Sequence, residues 1–207
     1  MPALEANRKH FHFHKGETIF CEGDEVKGMF FVNTGLVKVH KKWGEEKELI
    51  LRFAKDGDIF GHRGLGNDTI YPVSATALTP TDVCYIDLPF FETTLKVNTE
   101  FLYHLMMFFA SELKESEKRM RNLAHMPVRG RIANALLTLH KKFGTDDKGN
   151  IDIIISRQDL ASYTGTVYET LFRSMNEMAE EKLIEFNGKK IKILKEQKLS
   201  KITLENR

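Results

Sequence analysis

Residues 156–182, SRQDLASYTGTVYETLFRSMNEMAEEK, divide at Thr164-Gly165 into two helical patterns. Each opens on a hydroxyl residue with an acid three positions on, Ser156 with Asp159 and Thr166 with Glu169. A hydroxyl before the first turn can accept from an unpaired backbone N–H, and the helix dipole favours a carboxylate beside it. Helical spacing sends Leu160, Ala161 and Tyr163 to a core from the first helix and Leu171, Met175 and Met178 from the second, with Gly165 supplying the turn. Val167, Tyr168, Glu169, Phe172 and Arg173 are left on the exposed start of the second helix. Such a pair is how a small domain offers a helix to the DNA major groove, although periodicity alone equally describes an ordinary αα-hairpin.

The next segment favours the DNA reading. LIEF (183–186), Asn187-Gly188 and KKIKIL (189–194) read as a hairpin turning on Asn187-Gly188. Helix-turn-helix plus hairpin makes a winged helix. Lys189, Lys190 and Lys192 then stand at its tip and edge, where they suit phosphate contact or simply protect an edge strand from aggregation. Charge is distributed accordingly: residues 124–207 hold 15 Lys and Arg against 11 Asp and Glu (+4), and residues 1–123 hold 16 against 18 (−2). The basic excess is modest, so steering toward DNA is weak.

The N-terminal half has another texture. Short β-type runs recur at 18–21, 29–32, 36–40, 48–53, 58–61, 73–78 and 82–87, punctuated by Gly23-Asp24, Thr34-Gly35, Asp56-Gly57-Asp58 and Thr79-Pro80. They predict an antiparallel barrel or jelly roll over 1–97. From 98 to 123 no Pro or Gly intervenes, and Leu102, Met106, Phe109, Leu113, Ser116, Met120 and Leu123 alternate spacings of four and three. That seam is narrow enough to pair with a copy of itself, making a dimerisation helix. Leu105 and Phe108 broaden the apolar face, as a helix packing on its own barrel would require. Met126-Pro127 sets a hinge at 124–127, and 128–207 form the winged domain. The expected class is α+β.

This order of parts resembles the transcription factors related to the cyclic-AMP receptor protein and FNR, the CRP/FNR family, over nearly the whole chain. Three stretches carry the likeness: KGETIFCEGDEVKGMFFVNTGLVKV (15–39), NLAHMPVRGRIANALLTL (122–139) and SRQDLA…G…ETLFR (156–173). The resemblance implies a homodimer on a palindromic double-stranded operator, with RNA polymerase as a further partner. It also implies that Glu169 and Arg173 read base edges, for which Glu can accept from cytosine N4 and Arg can grip guanine. Arg157, Thr166, Val167, Tyr168, Phe172, Lys189 and Lys190 complete the candidate DNA-binding set. Tyr168 departs from the arginine that the cyclic-AMP receptor carries there, so the half-site is expected to differ. On a solvated helix, Glu169 and Arg173 would instead form an i,i+4 ion pair.

Members that bind cyclic nucleotides place a glutamate on the ribose and an arginine on the phosphate. The matching stretch, FGHRGLGNDTIYPVSATAL (60–78), has His62 and Pro72 at those places. Proline offers neither a cation nor a backbone N–H, and a buried phosphate left unpaired is costly, which argues against cyclic AMP. The candidate effector pocket comprises Gly61, His62, Arg63, Gly64, Pro72, Val73 and Ser74, with Ser116 and Glu117 from the long helix. Arg63 reads as a surface arginine.

Other chemistries find less support. Cys21 and Cys84, with no CxxC, argue against an iron–sulfur cluster. His10, His12 and His14 alternate as along one strand face, so a haem or metal role is an alternative, making the chain a redox or gas sensor of the same build. The other alternative is a nucleotide-sensing regulatory subunit that binds protein. No catalytic motif is present, so an enzyme is not expected. The N-terminus lacks an apolar signal core, and the apolar run 105–110 is too short for a bilayer, so the expected place is the cytoplasm, without a membrane partner.

Overall fold

A computed structural model describes residues 7–44 and 47–204. Residues 1–6, the start of the stretch judged above for a signal core, lie outside the described residues. The chain forms two compact units, residues 1–113 and 114–207, each described by itself.

The first unit stacks two four-stranded antiparallel sheets in a jelly-roll arrangement. One has the order β1-β8-β3-β6, from Arg8–Phe13, Thr81–Asp87, Gly28–Thr34 and Ile59–Phe60. The other has the order β2-β7-β4-β5, from Thr18–Phe20, Ser74–Ala77, Leu36–Trp43 and Lys47–Lys55. Strand alternation builds the core. Val37 and Val39 of β4 and Ala75 and Ala77 of β7 are buried, and aromatic rings fill the space between, with Phe20 stacked on Tyr71 at 3.8 Å. On β4, Lys38 and His40 instead meet Glu48 of β5 at 2.8 and 2.7 Å. Burial raises the Glu48 carboxyl, but hydrogen bonds and charge from His40 and Lys38 outweigh it and hold the pKa at about 2.

Helix α1 (Leu88–Val97), which the sequence reading left inside the barrel region, follows β8 directly, and its Phe91 is fully buried. Helix α2 runs from Thr99 to His125. Asn98 opens it, its side-chain oxygen accepting from the Phe101 N–H at 2.9 Å. The first compact unit takes in α2 as far as Leu113. Phe101, Leu105 and Phe108 bring that part of the helix in, because they pack on the jelly-roll core. The expected hinge also narrows: α2 keeps Ala124 and His125, and Pro127 opens α3 (Val128–Phe143), leaving Met126-Pro127 as the break.

In the second unit, α3 buries Ile132, Ala133, Leu136 and Leu139 on one face. Helices α4 (Arg157–Thr164) and α5 (Tyr168–Glu180) follow, then the hairpin β9 (Ile184–Asn187) and β10 (Lys190–Ile193), and α6 (Glu196–Ile202), which the sequence reading did not separate. The hairpin turns one residue later than expected. Asn187 pairs with Lys190, so Gly188 and Lys189 form the loop, and only Gly188 takes a positive φ, 61°.

Candidate nucleic-acid interface and effector pocket

Local chemistry sets the two helices of the motif. Ser156 caps α4, its Oγ accepting from the Asp159 N–H at 2.9 Å. Gly165 ends that helix with φ 67°. The second cap differs from the expectation, because Val167, not Thr166, is the N-cap of α5, and no side chain caps it. Thr166 is drawn back into the turn, where its N–H donates to Ala161 O at 3.0 Å.

Helix α5 has two faces. Leu171, Ser174, Met175 and Met178 are buried, as are Leu160 and Ala161 of α4. Tyr163, expected in the core, is half-buried beneath the Arg119 guanidinium. On the other face Val167, Tyr168, Glu169, Phe172 and Arg173 are all exposed. Among the described residues neither Glu169 nor Arg173 has an ion-pair partner, so the i,i+4 pair is not formed. Arg157 lies at the start of α4 with its guanidinium 5.1 Å from the Phe186 ring of β9, which joins the helix pair to the wing. The two wing lysines part company. Lys189 is exposed at the loop, whereas Lys190 donates to Asp146 at 2.6 Å, and the Asp146 carboxylate also accepts from the Asn150 side chain and the Lys148 and Asn150 amides. Lys190 is therefore held by its own domain.

The seam of α2 faces outward. Leu102, Met106, Phe109, Leu113, Ser116 and Met120 are exposed and Leu123 is half-buried, while Leu105 is 8% exposed against the core. One helix thus packs on the jelly roll by one face and leaves an apolar stripe exposed on the other.

The candidate effector residues separate. Gly61, with φ 85°, opens the short 3-10 turn His62–Gly64. His62 is 2% exposed, edge-on to Phe108 and Phe109 at 4.9 and 5.6 Å. Its Nε2 stands 3.7 Å from Glu112, within ion-pair reach but too long for a hydrogen bond, and neither ring nitrogen has a hydrogen-bond partner. Arg63 is not a free surface arginine. Its Nη2 donates to Glu112 at 3.2 Å, and Arg52 of β5 approaches the same carboxylate at 3.4 Å. Burial lifts the Glu112 pKa, but His62, Arg52 and Arg63 outweigh it and bring it to about 2. Burial lowers that of His62, which favours the neutral ring. Pro72 is exposed and Val73 lies in the core. Ser74 alternates to the outer face of its sheet, into a polar cleft of about 360 Å³, where its Oγ accepts from the Glu22 N–H, and so it does not join His62. Ser116 and Glu117 are exposed on α2 beyond Leu113.

Glu112 and Arg52 were missed in the sequence. Glu112 stands one helical turn after Phe108 and Phe109, but nothing in the sequence linked it to an arginine sixty positions earlier. In the histidine row the rings of His12 and His14 lie edge-on at 5.3 Å, with His14 just past the end of β1, and His12 pairs with Asp82 at 2.8 Å. No group of three or more His, Cys, Asp or Glu among the described residues could hold a metal, and no described helix is long and apolar enough to cross a membrane.

Comparison with known proteins agrees with this arrangement. Residues 10–98 match the cyclic nucleotide-binding domain and residues 130–202 the Crp-like helix-turn-helix domain. The chain is 31% identical over 196 residues to the cAMP-activated global transcriptional regulator CRP of Pasteurella multocida, covering 92% of this chain and 93% of that protein. It is 28% identical over 193 residues to the global nitrogen regulator of a Nostoc species, covering 91% and 86%. In fold it is similar to FixK2 from Bradyrhizobium japonicum, with a TM-score of 0.85, 24% identity and coverage of 94% and 96%. With a jelly roll, a long helix and a winged helix-turn-helix in the order its relatives share, the chain belongs to the CRP/FNR family of DNA-binding transcriptional regulators.

Proposed function

We propose that this regulator acts as a homodimer on a palindromic operator, joined along the outward stripe of α2, with one α5 entering each of two major grooves about 34 Å apart. One observation supports it above the others: Glu169 and Arg173 stand exposed and unpaired beside Tyr168 and Phe172, on a helix whose opposite face is buried. Unpaired charge on an apolar-flanked helix face is available to base edges, with Arg173 toward guanine and Glu169 toward cytosine. Lys189 supplies phosphate contact. Engagement of RNA polymerase and a cytoplasmic place follow from the same reading.

The CRP of Pasteurella multocida is cAMP-activated. In this chain cyclic AMP is not the effector. His62 and Pro72 replace the groups that would hold ribose and phosphate, and the Glu112 carboxylate already engages Arg52 and Arg63. A second anion entering there would have to displace it. Selection from random duplex DNA tests the main claim, with an inverted repeat expected and unpaired or featureless sequences overturning it. Calorimetric titration with cyclic AMP tests the second, with no binding heat expected and saturable binding overturning it.

A further inference from the structure

Helix α4 has eight residues, and, as at any helix end, the carbonyls of its last turn have no N–H further along the helix to bond. The Ala161 carbonyl accepts from the Gly165 and Thr166 amides, closing the turn. Two arginines reach the neighbouring carbonyls. Arg131 of α3 donates from Nη1 to Gly165 O at 3.2 Å. Arg119 of α2 donates from Nη2 to Tyr163 O at 2.7 Å, and its guanidinium lies 4.5 Å from the centroid of the Tyr163 ring. A flat cation that stacks on a ring and bonds the carbonyl of the same residue fixes that residue in both position and tilt. A cation at a helix C-terminus also meets the negative end of the helix dipole.

The partners matter more than the bond. Arg119 adjoins Met120, an exposed member of the outward stripe, so one turn of α2 carries both the stripe and the grip on Tyr163. Tyr163 lies two residues before the turn glycine, and α5 begins three residues after it. We propose that Arg119 is a positioning residue that transmits the orientation of the dimerisation helix to the recognition helix, and so sets the half-site spacing that the regulator accepts. This rests on the dimer-on-palindrome reading above.

A merely structural arginine would lower stability without altering which spacing binds best. The test therefore compares wild type, Arg119→Ala and Arg119→Lys on the selected inverted repeat and on versions with one base pair inserted or removed at its centre. Each such change rotates and shifts one half-site, and a rigid dimer should lose at least about tenfold in affinity. In Arg119→Ala the penalty should fall below about threefold, while Arg119→Lys, which keeps the charge but not the flat fork, should recover part of it. A wild-type penalty in Arg119→Ala would overturn the proposal. Should Arg119→Ala not fold, Arg119→Lys carries the comparison, and an unchanged penalty there overturns it. Amide exchange at Gly165 and Thr166 without DNA separates the two claims. Faster exchange in the variant with no inverted repeat selected by wild type would retain the grip on Tyr163 and defeat the dimer reading, and with it the spacing role. Unchanged exchange would defeat the grip itself.

Discussion

The rings of Tyr168 and Phe172 lie almost parallel, 10° apart with centroids at 6.0 Å, one turn apart on the exposed face of α5. At 40% and 48% exposure they bury too little to matter much for folding, and a surface substitution of this kind usually costs less than about 0.5 kcal/mol. Phe172→Ala should therefore leave the thermal unfolding midpoint nearly unchanged and weaken operator binding, measured by gel shift, by about tenfold. A large fall in the midpoint would show that the ring is structural.

Arg173 neighbours this pair and has no ion-pair partner among the described residues. Arg173→Ala should cost about 1–3 kcal/mol on the specific operator and little on random DNA. An equal loss on both in a binding titration would mean that it touches phosphate only.

The two wing lysines should behave differently. Lys189→Ala should weaken binding to all sequences alike and reduce the slope of log affinity against log salt by about one. Lys190→Ala should instead lower the unfolding temperature, because it strips Asp146 of the cation 2.6 Å away. Equal salt slopes in Lys189→Ala and wild type would remove Lys189 from the interface.

On α2, exposure separates two leucines. Leu113 is 61% exposed, and Leu113→Glu should give folded monomers in sedimentation, since like charges would then face each other across the pairing stripe. Leu105 is 8% exposed in the jelly-roll core, and Leu105→Ala should cost about 2–5 kcal/mol of stability. An intact dimer in Leu113→Glu would defeat the seam.

The Glu112 cluster makes stability depend on pH. The carboxyl is held at about 2 in the folded protein against 4.5 ordinarily, so its contribution is complete above about pH 4.5 and is lost as pH falls toward 2. His62 acts in the same direction, because a lowered folded pKa means that the unfolded chain takes up the proton first as pH falls below 6.5. Glu112→Gln should flatten urea-derived stability between pH 4.5 and the acid limit, and identical profiles in the two proteins would refute the assignment.

Much of this was legible in the chain. Ser156 and Gly165 fixed the limits of α4 because cap and turn chemistry act over three or four residues, and the apolar spacing found Leu171, Met175 and Met178 without error. Short β-type runs between glycine turns located β2 to β8 for the same local reason, whereas β1 was not among those runs. What escaped was the part decided at a distance. Arg52 and Glu112 meet only after the sheets are stacked, and Arg119 finds Tyr163 across 44 positions of sequence. The shifts at Thr166 and Asn187 were of another kind, since in both turns the polar residue lost its assigned place to a neighbour by one step.

Glu112 has one more consequence. Because its carboxylate is tethered to the polypeptide, its local concentration around Arg52 and Arg63 is set by the backbone and does not follow the metabolic state of the cell. A small anion arriving from solution meets a resident competitor instead of a void, and must be abundant or carry more than one charge to evict it.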